Sequence, residues 1–116
     1  MVDAEDLAFQ RMEIIQTENP GAMTKHDVEE NDDTEWAVVT IADENGGSLS
    51  VEIIESDTSW KRSDLIEHYN ELAEDMEIAV ILPDEAFEEV AARLARDGSP
   101  NIDLLTYSDL GLIPRG

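Results

Sequence analysis

Cysteine is absent from the chain. Its absence excludes disulfides, thiolate metal sites and cysteine nucleophiles, and leaves the redox compartment unread. Lysine is scarce: Lys25 and Lys61 are the only two, and five arginines complete a basic complement of 7. Proteins that hold nucleic acid by neutralising phosphates need a basic stripe, and scattered cations disfavour that mode. No apolar run approaches the roughly 18 residues of a membrane span. The amino-terminal segment MVDAEDLAFQ lacks the cationic region and apolar run of a secretory signal, so a soluble cytoplasmic protein is expected. Gly46-Gly47 sits between two strand-like segments and not at a strand-to-helix turn, which argues against a phosphate cradle. Ser56, Ser59 and Ser63 have no nucleophile-elbow setting.

What the chain has in excess is acid. Against those 7 cations stand 29 Asp and Glu, for a formal net charge of -22 over 116 residues. The acids run along the whole sequence instead of gathering in a tail. Apolar residues still make up 41 % of it, with clear periodicity, so a folded domain is expected and not a solvated coil. The length suits one domain with a single modest core. With its spread acidity and its preference for arginine over lysine, the chain resembles proteins of salt-accumulating halophilic archaea. Large net charge is a device such proteins use. An alternative origin for the acidity is mimicry of nucleic acid, which would set carboxylates in two phosphate-like rows on one face.

Periodicity predicts the elements. Ala4, Leu7, Ala8, Met12 and Ile15 form one stripe of a helix over about 4–17, begun by Asp3 and stopped at Asn19-Pro20-Gly21. Residues 22–35 read as a mobile acidic loop, because Asn31-Asp32-Asp33 favours a turn. WAVVTIA (36–42) and LSVEIIE (49–55) flank DENGGS and predict an antiparallel hairpin turning at Asn45-Gly46-Gly47. The first of these strands is apolar on both faces, which suggests a central place in the sheet. A helix over 64–75, with Ser63 as N-cap, precedes the buried parallel-type strand IAVIL (78–82). Pro83-Asp84-Glu85 then starts a helix that Gly98 ends, and a last strand begins at Ile102 and turns at Gly111. The expected fold is α/β in the order α-β-β-α-β-α-β: a mixed four-stranded sheet, a hairpin followed by two right-handed crossovers, helices packed on the sheet.

The stretch VEIIESDTSWKR (51–62) carries the most chemistry. Two carboxylates, Glu52 and Glu55, leave an apolar strand just ahead of two adjacent cations, Lys61 and Arg62. That is the material of an acid-and-metal site, or of a strand edge dressed for solvent. Strand parity sets Glu52 opposite the main apolar row of Leu49, Val51 and Ile53. Over about residues 33–110 the order of elements and the phrase VEIIESDTSWKRSDLIEHYNELAEDMEIAVILPDE resemble the latter half of a restriction-endonuclease-like domain of the PD-(D/E)xK class. The resemblance implies that Glu52 stands at the strand glutamate and Asp33 or Glu35 at the leading aspartate. In that class two carboxylates hold Mg²⁺ beside the scissile phosphate and a lysine steadies the attacking water. The match departs from the pattern at two points: Ile54 occupies the lysine position, leaving Lys61 as the substitute cation, and the leading Pro-Asp pair is absent.

Elsewhere candidates thin out. His26 lies in the acidic segment and His68 beside Tyr69, with no spacing that pairs them on a metal. HDVEENDDTE (26–35) has the composition of a calcium loop without its ligand spacing or central glycine. Trp36 and Trp60 read as core or sheet-edge anchors. Trp60 with Lys61 and Arg62 is the one place where an aromatic meets clustered cations, and so the place to expect a bound phosphate or partner. The sequence thus favours a non-enzymatic interaction or accessory protein with a protein partner or a second copy of itself, possessing no cofactor. The alternative is a nuclease or lapsed nuclease relative, and Mg²⁺ enters only there.

Charge alone generates a first test. Added ions screen self-repulsion within about 3 Å at about 1 M salt, so the melting temperature at neutral pH should climb steadily as KCl is raised into the molar range. Calorimetry showing a flat or falling melting temperature would refute salt adaptation.

Overall fold

A computed structural model describes residues 2–31, 33–43 and 49–115. Helix α1 (Ala4–Glu18) begins where the Asp3 carboxylate accepts the Asp6 N–H at 3.1 Å, and it turns Ala4, Leu7, Ala8 and Ile15 inward. Three antiparallel strands follow: β1 (Met23–Asn31), β2 (Thr34–Ala42) and β3 (Leu49–Glu55). A 3-10 turn over Ser59–Lys61 leads into α2 (Leu65–Ala73), then β4 (Glu77–Leu82), α3 (Phe87–Asp97), β5 (Ile102–Thr106) and the single-turn helix α4 (Tyr107–Leu110). The five strands lie in sequence order across one sheet, with β3, β4 and β5 parallel.

The general class is the expected α/β with a mixed sheet, but the sheet has five strands, not four. The additional one is β1, which occupies most of the segment 22–35 expected to be a loop. Its inward residues are Thr24, His26 and Val28, of which only Val28 is apolar, so period-2 hydrophobicity is nearly invisible there. Pairing along all nine residues of β2, from Met23 opposite Ala42 to Asn31 opposite Thr34, makes it a strand nonetheless. β2 is consequently flanked on both sides, in keeping with its apolar character on both faces.

Smaller departures follow local chemistry. Helix α2 opens at Leu65 after Asp64, with no side-chain cap, so Ser63 does not have the capping role expected of it. The last strand stops at Thr106. There a capping box forms, Thr106 accepting the Asp109 N–H and Asp109 accepting the Thr106 N–H, so Tyr107 belongs to α4. Gly111 closes that helix at φ 71, the left-handed conformation that glycine adopts without Cβ strain. The Asn45-Gly46-Gly47 turn lies outside the described residues.

Helices cover both faces of the sheet. On one side α1, Tyr107 and Leu112 pack on Ala37, Val39, Ile54 and Ile81. On the other, α2 and α3 pack on Val51, Ile53, Ile78, Val80 and Leu82. Strand β3 therefore feeds both layers: Val51, Ile53 and Glu55 point to one and Glu52 and Ile54 to the other. Leu7 is fully buried under α1. Leu7→Ala should lower the unfolding free energy by about 2–5 kcal/mol, read as a fall in denaturant midpoint at unchanged slope. A loss of a few tenths would show that α1 is not part of the core.

Candidate functional site

Both glutamates of the VEIIESDTSWKR stretch are interior. Glu52 is 8 % exposed and Glu55 fully buried, so the stretch is not a strand edge dressed for solvent. Burial of a carboxylate is tolerable only with compensating charge and hydrogen bonds, and the chain supplies both.

Glu52 faces α1. Arg11 stands four residues from both Leu7 and Ile15, hence on the buried stripe of that helix, and reaches down to the sheet. Its Nε lies 2.6 Å from Glu52 Oε1 and its Nη2 2.9 Å from Oε2, a two-pronged charge-assisted pair. The hydrogen bond to Glu52 holds the Arg11 guanidinium above its ordinary pKa range.

Glu55 faces the other layer and is saturated. Ser59 Oγ donates to Oε1 at 2.6 Å and Arg62 Nη1 at 2.8 Å, while Tyr69 OH donates to Oε2 at 2.6 Å and Arg62 Nη2 approaches it at 3.4 Å. The Glu55 carbonyl accepts the Tyr107 hydroxyl. Reciprocal bonds brace the 3-10 turn so that Ser59 faces this carboxylate. Ser56 N–H donates to Ser59 Oγ at 2.7 Å, and Ser59 N–H to Ser56 Oγ at 3.1 Å. Arg62 also stacks on Trp36 with its guanidinium carbon 3.6 Å from the ring centroid, a cation–π contact in a desolvated setting. Arg93 of α3 closes the assembly by donating to the Arg62 carbonyl at 3.1 Å. The indole N–H of Trp36 is buried without a hydrogen-bond partner.

The residues matched to a nuclease do not converge. Glu52 lies opposite Val39 in the register. Glu35 is four residues along β2 from that point, about 13 Å at the rise of a strand, and Asp33 lies beyond the start of β2 in the turn. Ile54, at the lysine position, is core. Among the described residues no group of three His, Asp or Glu is placed to hold a metal ion.

The expected binding trio is divided. Trp60 is core, its indole N–H donating to the Asp57 carbonyl at 3.1 Å. Arg62 is committed to Glu55 and Trp36. Lys61 alone is exposed, its Nζ 5.4 Å from the Trp60 ring centroid. It lines a cleft of about 540 Å³ with Arg62, Thr34, Thr58, Asp33 and Asp64, where two carboxylates offset the cations. Asp33, with φ 66, forms the β1–β2 turn beside that cleft. His68 is half-buried, its Nδ1 3.5 Å from Arg62 Nη2, and His26 sits on β1 with Nε2 3.4 Å from Glu5.

Sequence reasoning missed Arg11 and Tyr69 as partners of these acids. One signal existed: Arg11 falls on an otherwise apolar stripe. No family model matches the chain, and no curated protein or solved structure is significantly similar to it.

The two tyrosines of the chain give a test by pH. Burial, reinforced by the Glu55 charge, raises the Tyr69 pKa well above its usual 10.0, and burial likewise raises that of Tyr107. A raised native pKa contributes stability that is complete below the unfolded value of about 10 and drains away as pH climbs above it. Tyrosinate absorbance should therefore emerge above about pH 10 in one cooperative step with loss of far-ultraviolet dichroism. Tyrosine ionisation with the fold intact would contradict the Glu55 assembly. Glu55→Ala, which strands Arg62, should cost about 3–5 kcal/mol in denaturant titrations.

Proposed function

We propose that this chain is a non-enzymatic interaction protein suited to a salt-rich cytoplasm. The observation that carries the reading is the internal neutralisation of both interior carboxylates of β3. Glu52 stands where the restriction-endonuclease-like resemblance would place a metal-binding glutamate, and Arg11 takes both of its oxygens. A guanidinium there does by charge and geometry what a divalent ion would do, holding two oxygens of one carboxylate. Lys61, the substitute cation of that resemblance, projects at the mouth of a different cleft. The remaining carboxylates are mostly at the surface, where their density suits a salt-loaded solvent.

A second reading, a nuclease relative that has lost catalysis, has one observation in its favour. The succession of a strand, a strand bearing Glu52, a helix and a strand, here β2, β3, α2 and β4, is the order the resemblance implies. Fold alone does not carry activity, so the two readings separate by experiment. Mg²⁺ or Mn²⁺ should be titrated in molar KCl while Trp36 and Trp60 fluorescence is followed, alongside an assay of DNA nicking. The interaction-protein reading expects neither saturable binding nor nicking. Saturable binding that disappears in Glu52→Gln, together with cleavage, would overturn it.

A further inference from the structure

Strand β1 is an edge: nine residues pair with β2 on one side and present a row of free backbone N–H and C=O groups on the other. Long unpaired edges template the addition of another strand unless charge, proline or a bulge blunts them. β1 contains no proline and pairs with β2 without a break in register. Of its four charged side chains, Glu30 lies near the end of the strand and the other three share one face. Lys25, Asp27 and Glu29 share the face turned away from α1, all exposed, and none has an ion-pair partner among the described residues.

We propose that β1 is a homodimer interface, in which two copies pair antiparallel about a two-fold axis at His26 and join their sheets into one continuous sheet. This deepens the interaction-protein reading and rests on it, naming the partner as a second copy. Centred on His26, the pairing sets Lys25 opposite the partner's Asp27, and symmetry repeats the contact. Thr24 meets the partner's Val28 on the α1 side. Centring on Asp27 would also oppose Lys25 to an acid, Glu29, but would press two Asp27 carboxylates together. Like charges directly opposite destabilise a strand pair, and opposite charges support it. The charge order of the strand thus favours the register centred on His26 over the one centred on Asp27.

The α1 side supplies the apolar part. Phe9 is 51 % exposed although α1 is otherwise well packed, and its ring stands edge-on to His26 with centroids 4.8 Å apart. It therefore lies over the edge strand at the residue on the axis. Helix α1 packs chiefly over β2, and in the dimer the two β2 strands are three strand spacings apart, about 14 Å. Helices in contact pack at about 8–10 Å. The excess leaves a slot between the two α1 helices, and the paired Phe9 and His26 rings occupy it. The -22 charge of each chain opposes association at low ionic strength, so the dimer strengthens with salt.

The test uses the full chain in molar KCl. Light scattering should give twice the 12.9 kDa mass, dissociating on dilution into low salt. Because the chain has no cysteine, single thiols report the register cleanly. Opposed residues across an antiparallel pair have Cα atoms about 4.5–5.5 Å apart, within disulfide reach. Under a mild oxidant His26→Cys should cross-link to itself. Thr24→Cys and Val28→Cys should each remain single alone and cross-link when mixed. Phe9→Ser should raise the dissociation constant roughly tenfold or more without lowering the secondary-structure signal. A monomer mass at every protein concentration in molar KCl would overturn the proposal, and so would a dimer in which His26→Cys does not cross-link. The nicking assay judges the non-enzymatic reading separately, so a monomer that neither binds metal nor nicks DNA removes only the dimer.

Discussion

The buried carboxylate of Glu55 is the constraint around which the rest of the structure is arranged. An unpaired charge in that position would be untenable, and its pairing draws on four elements at once: the end of β3, the 3-10 turn carrying Ser59, Arg62 ahead of α2, and Tyr69 on α2. Tyr107 of α4 adds a contact from the opposite layer, and Arg93 binds α3 to the same knot through the Arg62 carbonyl. A buried ion pair is weak evidence of stability, since an apolar replacement can do as well. What it fixes is geometry. Slipping β3 by one residue would point Glu55 at α1 and away from all of its donors, so the assembly reinforces the register that the hydrophobic alternation already favours.

Arg11 and Glu52 make a second, simpler tie on the other face, and together the two pairs explain how a chain so acidic holds an ordinary core. Of the five arginines, Arg11, Arg62 and Arg93 are spent inside or at the margin of the core on carboxylates and backbone carbonyls. Lys25, Lys61, Arg96 and Arg115 remain exposed. An interior place suits the three arginines that take it, because a guanidinium is planar, weakly hydrated and offers paired donors, whereas an ammonium is strongly hydrated and compact. Scarcity of cations thus does not mean that each is a surface ornament. Three of the seven serve the interior or its margin, and the four left at the surface are far outnumbered by acids.

Much of the fold was legible in the sequence because its signals were apolar. The stripe of α1, the β2–β3 pairing, the β4 run and the Gly98 stop all rest on patterns in hydrophobic or conformationally special residues. β1 was not legible, since a strand whose half-buried residues include threonine and histidine gives little hydrophobic alternation. Its existence is decided by β2, apolar on both faces and therefore in need of a neighbour on each side. The site is hidden for a related reason. Strand parity correctly placed Glu52 on the face away from Val51 and Ile53, but the sheet is covered on both faces, so that side is interior as well. The partners lie 41 residues away at Arg11 and 14 away at Tyr69, while proximity in the chain makes Lys61 and Arg62 look like one cluster. In the fold these neighbours part company, Arg62 turning in to Glu55 and Lys61 out to solvent.

That separation bears on what kind of surface the chain can offer. Glu52, Glu55, Arg11 and Arg62 are engaged in holding the layers together, and acids far outnumber cations among the exposed residues. Specific recognition on such a surface cannot come from long-range steering, because in concentrated salt charges more than a few ångströms apart scarcely sense one another. It must come from contacts at hydrogen-bond and van der Waals distance. The edge of β1 can meet that requirement. Its backbone groups bond at short range whatever the ionic strength, its charge changes sign between Lys25 and Asp27, and an aromatic side chain stands beside them. Concentrated salt would suppress the repulsion between copies and leave such short contacts intact.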